Sequence, residues 1–257
     1  MVLGENEVHI WMLHLDQVDA RSSSMQYDSL LCAQEIERSA RYSSSRVRQR
    51  YVMTRVLVRT VLSRYEPVLP REWQFSKTES GRPIVASRCQ RGAPPQISFS
   101  IAHTGTVIVC AVARETVLGI DIEELIPKPP LSIAKHFFTR IEAAAVAQCP
   151  ADNQASLFYR LWTLKEAYLK AIGTGLSQPL DGIEFQFCSD TITVTHKSPA
   201  AKKHRDCTFW SLQASPVHVA AVCVRRRPAI DHHLHVWRSI PLREQSPCTW
   251  PQLARSL

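Results

Sequence analysis

No two cysteines in this 257-residue sequence stand at C-x-x-C spacing, although it holds eight: Cys32, Cys89, Cys110, Cys149, Cys188, Cys207, Cys223 and Cys248. None sits beside a histidine in a zinc-finger pattern, which excludes the short zinc modules. Cys110 and Cys223 lie inside apolar runs and read as small core hydrophobes, so reduced thiols and a cytoplasmic protein are expected. No apolar stretch is long enough to span a bilayer, so no membrane association is expected. The first residues are acidic and polar and lack a positively charged region, so no signal peptide is expected. There is no run of like charge that would make a disordered basic arm. No aromatic platforms interleave with the basic residues, which argues against single-stranded nucleic acid as a ligand.

What is present is a globular composition, 45% hydrophobic and 21% charged, on a chain that can form one large domain or two small ones. The formal net charge is +8 and the pI about 9.2, which favours anionic partners. Residues 8–15 read as a strand, 29–42 and 45–65 as helices, and Trp73 to Phe75 as a short strand. The second helix carries Arg46, Arg48, Arg50, Arg55, Arg59 and Arg64 beside an apolar stripe of Val52, Val56, Leu57, Thr60 and Val61. Strands are expected over 97–102 and 107–113 around a turn at His103-Thr104-Gly105, then over Gly119–Glu123. Helices follow near 131–136, 139–148 and 155–172, and strands near 182–188, 191–196, 207–213 and 217–224. The order strand, helices, strands occurs twice, which suggests two similar halves meeting near 114–118, with no identical repeat visible. From Arg225 onward the chain is basic and Pro-containing, with Trp237 and Trp250 isolated, and reads as a surface tail. Asp231-His232-His233-Leu234-His235 in that tail reads as a solvated segment, with transition-metal binding as the alternative.

Two stretches carry chemistry. In Trp162-Thr163-Leu164-Lys165-Glu166-Ala167-Tyr168-Leu169-Lys170 the apolar residues recur at helical spacing, and Gly173 follows as a C-terminal cap. Glu166 and Lys170 are four apart and share a face, one a metal ligand or base, the other a cation for phosphate. An ordinary surface ion pair is the plain alternative. In Gly119-Ile120-Asp121-Ile122-Glu123 the alternation marks a strand with both carboxylates on one face. Asp121, Glu123 and Glu166 without histidine or thiolate suit a hard cation such as Mg²⁺, with Mn²⁺ as a substitute.

Four stretches in order resemble the 4′-phosphopantetheinyl transferases of the surfactin-synthetase-activating type. They are Ser76 to Pro83, Ile97 to Gly105, Gly119 to Glu123, and Phe158 to Lys170 followed by Gly173-Thr174-Gly175-Leu176. The resemblance covers roughly residues 8–225. It implies an α+β fold, a pseudo-twofold monomer of two similar α+β halves with the active site in the cleft between them. The halves would be 1–116 and 117–226, with 227–257 as a C-terminal tail. It implies transfer of the phosphopantetheine arm of coenzyme A to a serine of an apo acyl or peptidyl carrier protein, releasing adenosine 3′,5′-bisphosphate. Asp121, Glu123 and Glu166 would hold Mg²⁺, and Lys170 would hold the pyrophosphate. His103, with the backbone of Ser100 to Ala102, and Arg38 would meet the 3′-phosphate. Lys77 to Pro83, including Arg82, would line the adenine and phosphate site. Glu166, or a metal-bound water beside it, would deprotonate the serine.

Two positions depart from the family pattern. Ala102 has no hydroxyl, so a contact there uses backbone. Glu35 stands where a second basic residue often precedes Arg38. The family's larger, duplicated form often serves secondary metabolite biosynthesis, and acidic carriers suit the basic surface. A non-catalytic coenzyme A-binding protein of the same fold is the alternative function, against which Glu166 and Lys170 argue. DNA binding by the arginine-rich helix is a third, against which its apolar stripe argues.

Overall fold

The arginine-rich stretch and the Trp162 stretch become the two longest helices, and the Val-, Ile- and Ala-rich runs become strands, in a computed structural model. It describes residues 1–18, 24–86, 97–175, 179–226 and 230–256; Cys89 and Leu176 lie outside the described residues. The elements are β1 (Glu7–His14), α1 (Ser24–Asp28), α2 (Ala33–Ala40), α3 (Ser45–Leu62), β2 (Phe75–Lys77), β3 (Pro83–Val85), β4 (Ile97–Thr104), β5 (Val107–Arg114) and β6 (Leu118–Glu124). Then come α4 (Leu131–Phe137), α5 (Arg140–Gln148), α6 (Ala151–Ile172), β7 (Ile183–Cys188), β8 (Thr191–His196), α7 (Pro199–Lys202), β9 (Cys207–Ser215), β10 (His218–Arg225), β11 (His233–Ile240), β12 (Glu244–Cys248) and β13 (Gln252–Ser256). They form two units. One is Met1–Ser76, Pro83–Glu115 and Asp231–Thr249; the other is Lys77–Arg82, Thr116–Ile230 and Trp250–Leu257.

The first unit is built on a sheet of order β12-β11-β1-β5-β4. Met53, Val56, Leu57 and Val61 of α3 pack with Trp11 and Leu13 of β1 and with Ile108, Cys110 and Val112 of β5. Those strand residues recur at period two, so they share one face of the sheet. One arginine of α3 is no surface cation. Arg59 is 1% exposed, donates through Nε to Glu35 at 2.8 Å, and donates through Nη1 to the carbonyls of Pro70 at 2.7 Å and Trp73 at 2.9 Å. The expected strand at Trp73 is displaced for this reason. Trp73 is buried with its carbonyl on Arg59, and pairing begins at Phe75. The helix expected from residue 29 begins at Ala33, where the Glu35 side chain accepts from the backbone of Cys32 and caps the first turn.

The second unit has a sheet of order β6-β10-β9-β13-β8-β7, on which α6 lies. Both units repeat one connection. A first strand (β1, β6) leads to a long helix (α3, α6), then to an antiparallel hairpin (β4–β5, β9–β10) whose second strand pairs antiparallel with the first. This is the twofold similarity suspected from element order.

The segment after Arg225 is not a tail. β11 pairs in parallel with β1, and β12 extends that sheet. β13 then inserts into the other sheet, antiparallel to β9 and parallel to β8. Trp237 is not isolated either, because it stacks on Trp11 with ring centroids 5.6 Å apart. The turn expected at His103 moves by two residues: His103 and Thr104 lie in β4, and Gly105 takes the left-handed conformation at φ 51°.

Candidate active site

The acidic strand and the Glu166 helix meet because of a missing side chain. On β6, Ile120 and Ile122 are buried on one face, at 0% and 1% exposure, so Gly119, Asp121 and Glu123 share the other, the face that α6 covers. A Cβ at Gly119 would lie 1.9 Å from the carbonyl oxygen of Ala167 and 2.6 Å from the nitrogen of Ala171. The backbone of α6 therefore runs directly over this glycine. Ala167 and Ala171 bracket Lys170 and adjoin Glu166, so the contact sets the height at which both functional side chains reach β6.

There Lys170 Nζ donates to Asp121 Oδ1 at 2.7 Å and to the carbonyl of Ile120 at 3.1 Å. Asp121 is buried, and Glu123 and Glu166 are half-buried. Burial, and then the neighbouring Asp121 carboxylate, raise the Glu166 carboxyl above its ordinary value, against the opposing pull of Lys170. Glu123 faces the same helix two turns earlier: the Tyr159 hydroxyl is pushed up first by burial and then by Glu123 and Glu124. Asp121 and Glu166 beside one ammonium, with Glu123 on the same face of β6, offer oxygen donors only. That chemistry fits a hard divalent cation of the Mg²⁺ kind.

The helix is fixed from behind by Lys165, which is fully buried. Its ammonium donates to Glu142 Oε2 at 2.8 Å and to the carbonyls of Leu180 and Ile183, each at 2.7 Å. Glu142 also caps α5 by accepting from the Thr139 N–H, and its other oxygen accepts from the Phe185 N–H. At the other end Gly173 adopts φ 71° and closes α6 as its position predicts.

The loop Lys77–Arg82 belongs to the same unit. Its turn is closed by the Thr78 N–H on the Arg82 carbonyl and by Gly81 at φ 84°. Arg82 donates through Nη1 to the Ala171 carbonyl at 3.0 Å and through Nη2 to the Leu118 carbonyl at 3.2 Å. Ser80 donates to the Gly173 carbonyl. Arg82 thus ties the loop to the end of α6, and Lys77 stays exposed.

The remaining expected residues lie in the first unit. Arg38 is exposed on α2 with its guanidinium 5.5 Å from the Tyr51 ring centroid, and its pKa is raised, chiefly by a hydrogen bond with Tyr42. His103 is exposed near the end of β4, the edge strand of its sheet. Ser100 and Ala102 are buried in the same strand, and Pro83 opens β3.

The chain matches the 4′-phosphopantetheinyl transferase superfamily over residues 117–223 and the N-terminal region of 4′-phosphopantetheinyl transferases over 20–115. The 4′-phosphopantetheinyl transferase HetI of Nostoc sp. (strain PCC 7120) is 32% identical over 213 residues, which are 82% of this chain and 84% of that protein. The chain belongs to the 4′-phosphopantetheinyl transferase family. The 4′-phosphopantetheinyl transferase Sfp of Bacillus subtilis (strain 168) is 29% identical over 83% of this chain and 91% of its own. That of Bacillus pumilus, psf-1, is 29% identical over 87% and 92%. Among solved structures, the Thermotoga maritima holo-[acyl-carrier-protein] synthase overlays 43% of this chain and 64% of its own at 23% identity and a TM-score of 0.34, too little to carry an argument. Phosphopantetheinyl transfer is this chain's activity.

Within this transferase, three residues that motif reading passed over matter to the site. Lys165 is the internal brace of α6, and its signal was a lysine among core positions of a helix. Gly119 is the close-approach point, signalled by a glycine inside a strand. Glu35, which stands where a second basic residue often precedes Arg38, is the buried partner of Arg59, with Arg55 Nε also 3.9 Å away.

Proposed function

We propose that this transferase moves the 4′-phosphopantetheine arm of coenzyme A to a serine of apo acyl or peptidyl carrier proteins, with Mg²⁺ and with the residues clustered on β6 and α6. The observation that carries the reading is the Lys170–Asp121 contact of 2.7 Å, made where α6 brings Glu166 over β6. Asp121, Glu123 and Glu166 would hold the ion, which when bound supplies charge neutralisation for the pyrophosphate. Glu166 takes the proton of the carrier serine hydroxyl, as a carboxylate positioned beside the reacting group. The serine oxygen bonds to the phosphorus on the pantetheine side, and the bridging phosphate oxygen leaves with adenosine 3′,5′-bisphosphate. Lys170 meets the negative charge that develops on the leaving phosphate.

Arg38 and His103, both exposed, take the 3′-phosphate with the backbone of Ser100 to Ala102. Lys77, Arg82 and Pro83 line the nucleotide side. Arg82 does so as a positioning residue, because its two terminal nitrogens already hold Ala171 and Leu118. We place it in the cytoplasm as a monomer; free thiols throughout the described cysteines support the location. The net charge of +8 favours acidic carriers.

The test is mass spectrometry of a purified apo carrier after incubation with the chain, coenzyme A and Mg²⁺, alongside an EDTA control. One added phosphopantetheine that EDTA abolishes is the expected result. Full transfer in EDTA, or by Asp121→Ala in Mg²⁺, overturns the metal assignment. No transfer to any of several carriers overturns the substrate assignment.

A further inference from the structure

The parallel pairing of β11 with β1 assembles a second set of metal-ligating side chains, chemically unlike the acidic site. The register places Glu7 beside His233, His9 beside His235 and Trp11 beside Trp237. Residues 7, 9 and 11 alternate onto one face of β1, and 233, 235 and 237 onto the same face of β11. The rings agree: Trp11 stacks on Trp237, and the His9 and His235 centroids are 5.2 Å apart. One ligand atom from each of Glu7, His9 and His235 lies within 4.8 Å of the others. His9 Nε2 is 3.2 Å from Glu7 Oε2, and His235 Nε2 is 3.8 Å from Glu7 Oε1.

The outer contacts are those a metal ligand needs. His9 is 5% exposed, and its Nδ1 is 2.8 Å from the hydroxyl of Tyr65, which in turn accepts from Trp11 Nε1 at 2.8 Å. With Nδ1–H donated to Tyr65, Nε2 presents its lone pair to an ion, the arrangement in which a second partner orients a ligating imidazole. Glu7 is held by the Gly4 N–H on Oε2 at 2.8 Å, so Oε1 remains directed at His235. Burial lowers the pKa of His9, and the Gly4 hydrogen bond lowers that of Glu7.

We infer that Glu7, His9 and His235 form a zinc site that clips the returning strand β11 to β1. Two imidazoles and one carboxylate suit Zn²⁺ and disfavour Mg²⁺, which prefers oxygen. Bond lengths of about 2.0–2.2 Å ask the three side chains to close by small rotations about an ion. The ion closes a loop of nearly the whole chain, the case in which a cross-link removes the most unfolded-state entropy.

The experiment uses the full chain without a histidine tag, stripped of metal and then titrated with Zn²⁺ in excess Mg²⁺. Bound zinc is measured by elemental analysis, the melting temperature is followed in parallel, and Co²⁺ reports geometry through its visible spectrum. One zinc per chain and a melting temperature that rises with Zn²⁺ are expected. His235→Ala, an exposed position, and His9→Gln should each weaken zinc binding at least about tenfold and abolish the thermal shift, whereas Asp121→Ala and Cys188→Ser should leave both intact. Zinc binding unchanged in His235→Ala, or lost in Cys188→Ser, overturns the assignment and leaves the three side chains a hydrogen-bonded surface network.

Discussion

Gly119→Ala tests the close approach of α6 to β6 on which the proposed active site rests. The added methyl would stand 1.9 Å from the Ala167 carbonyl oxygen and 2.6 Å from the Ala171 nitrogen, both backbone atoms that no rotamer change can move. Restoring an ordinary carbon–oxygen approach of about 3.3 Å requires α6 to rise by about 1.4 Å over β6. Lys170 and Glu166 ride on the same turn, so the 2.7 Å Lys170–Asp121 contact opens by a similar amount. A misplacement near 1 Å costs about a hundredfold in rate, and overpacking of this kind costs about 1–3 kcal/mol of stability. The assay pairs phosphopantetheine transfer, read by carrier mass, with denaturant unfolding. A folded variant with a rate down about a hundredfold and intact secondary structure is expected. The clash is with the carbonyl of Ala167 rather than its methyl, so Ala167→Gly should not rescue it. Wild-type rate at wild-type stability, or rescue by Ala167→Gly, would refute the reasoning.

Glu142→Gln strands the fully buried Lys165 ammonium, and loss of one partner of such a pair costs about 3–5 kcal/mol; urea unfolding should show it. The double variant with Lys165→Met should regain much of that loss, and a Glu142→Gln variant within about 0.5 kcal/mol of wild type would contradict the network. Deleting Trp250–Leu257 removes β13 from between β9 and β8, together with the buried Trp250 and Ala254. The shortened chain should lose cooperative thermal unfolding and accumulate as aggregate; an unchanged melting curve would count against a structural role for this strand.

The elements that carry the candidate site in the second unit were legible because their signals are local. Alternation in Gly119–Glu123 and the four-residue spacing of Glu166 and Lys170 each lie within one element, and the structure places Lys170 directly on Asp121. What was hidden depends on partners far apart in sequence. β11 reads His-Leu-His-Val-Trp-Arg-Ser-Ile, with exposed His233, His235 and Arg238, and resembles a solvated segment until it is laid beside β1. Glu35 looked like the loss of a cation because Arg59, its ion-pair partner, lies two helices' reach away and reads as one more surface arginine. Arg82 looked like a free loop cation for a similar reason: the carbonyls it binds belong to Ala171 and Leu118. The 45–65 helix was placed correctly at its start because Ser44 supplies the cap, accepting from the Val47 N–H.

The route of the last residues bears on how the molecule is made. β11 and β12 belong to the first sheet and β13 to the second, so the first sheet is not whole until β12 has left the ribosome, nor the second until β13 has. The first unit, although mostly encoded early, cannot finish folding until β11 has emerged, since its edge at β1 waits for a strand more than two hundred residues later. Such non-local closure slows folding and lengthens the time that apolar edges are exposed. Expression yield should therefore depend on temperature and on chaperone supply more than the stability of the finished protein would suggest.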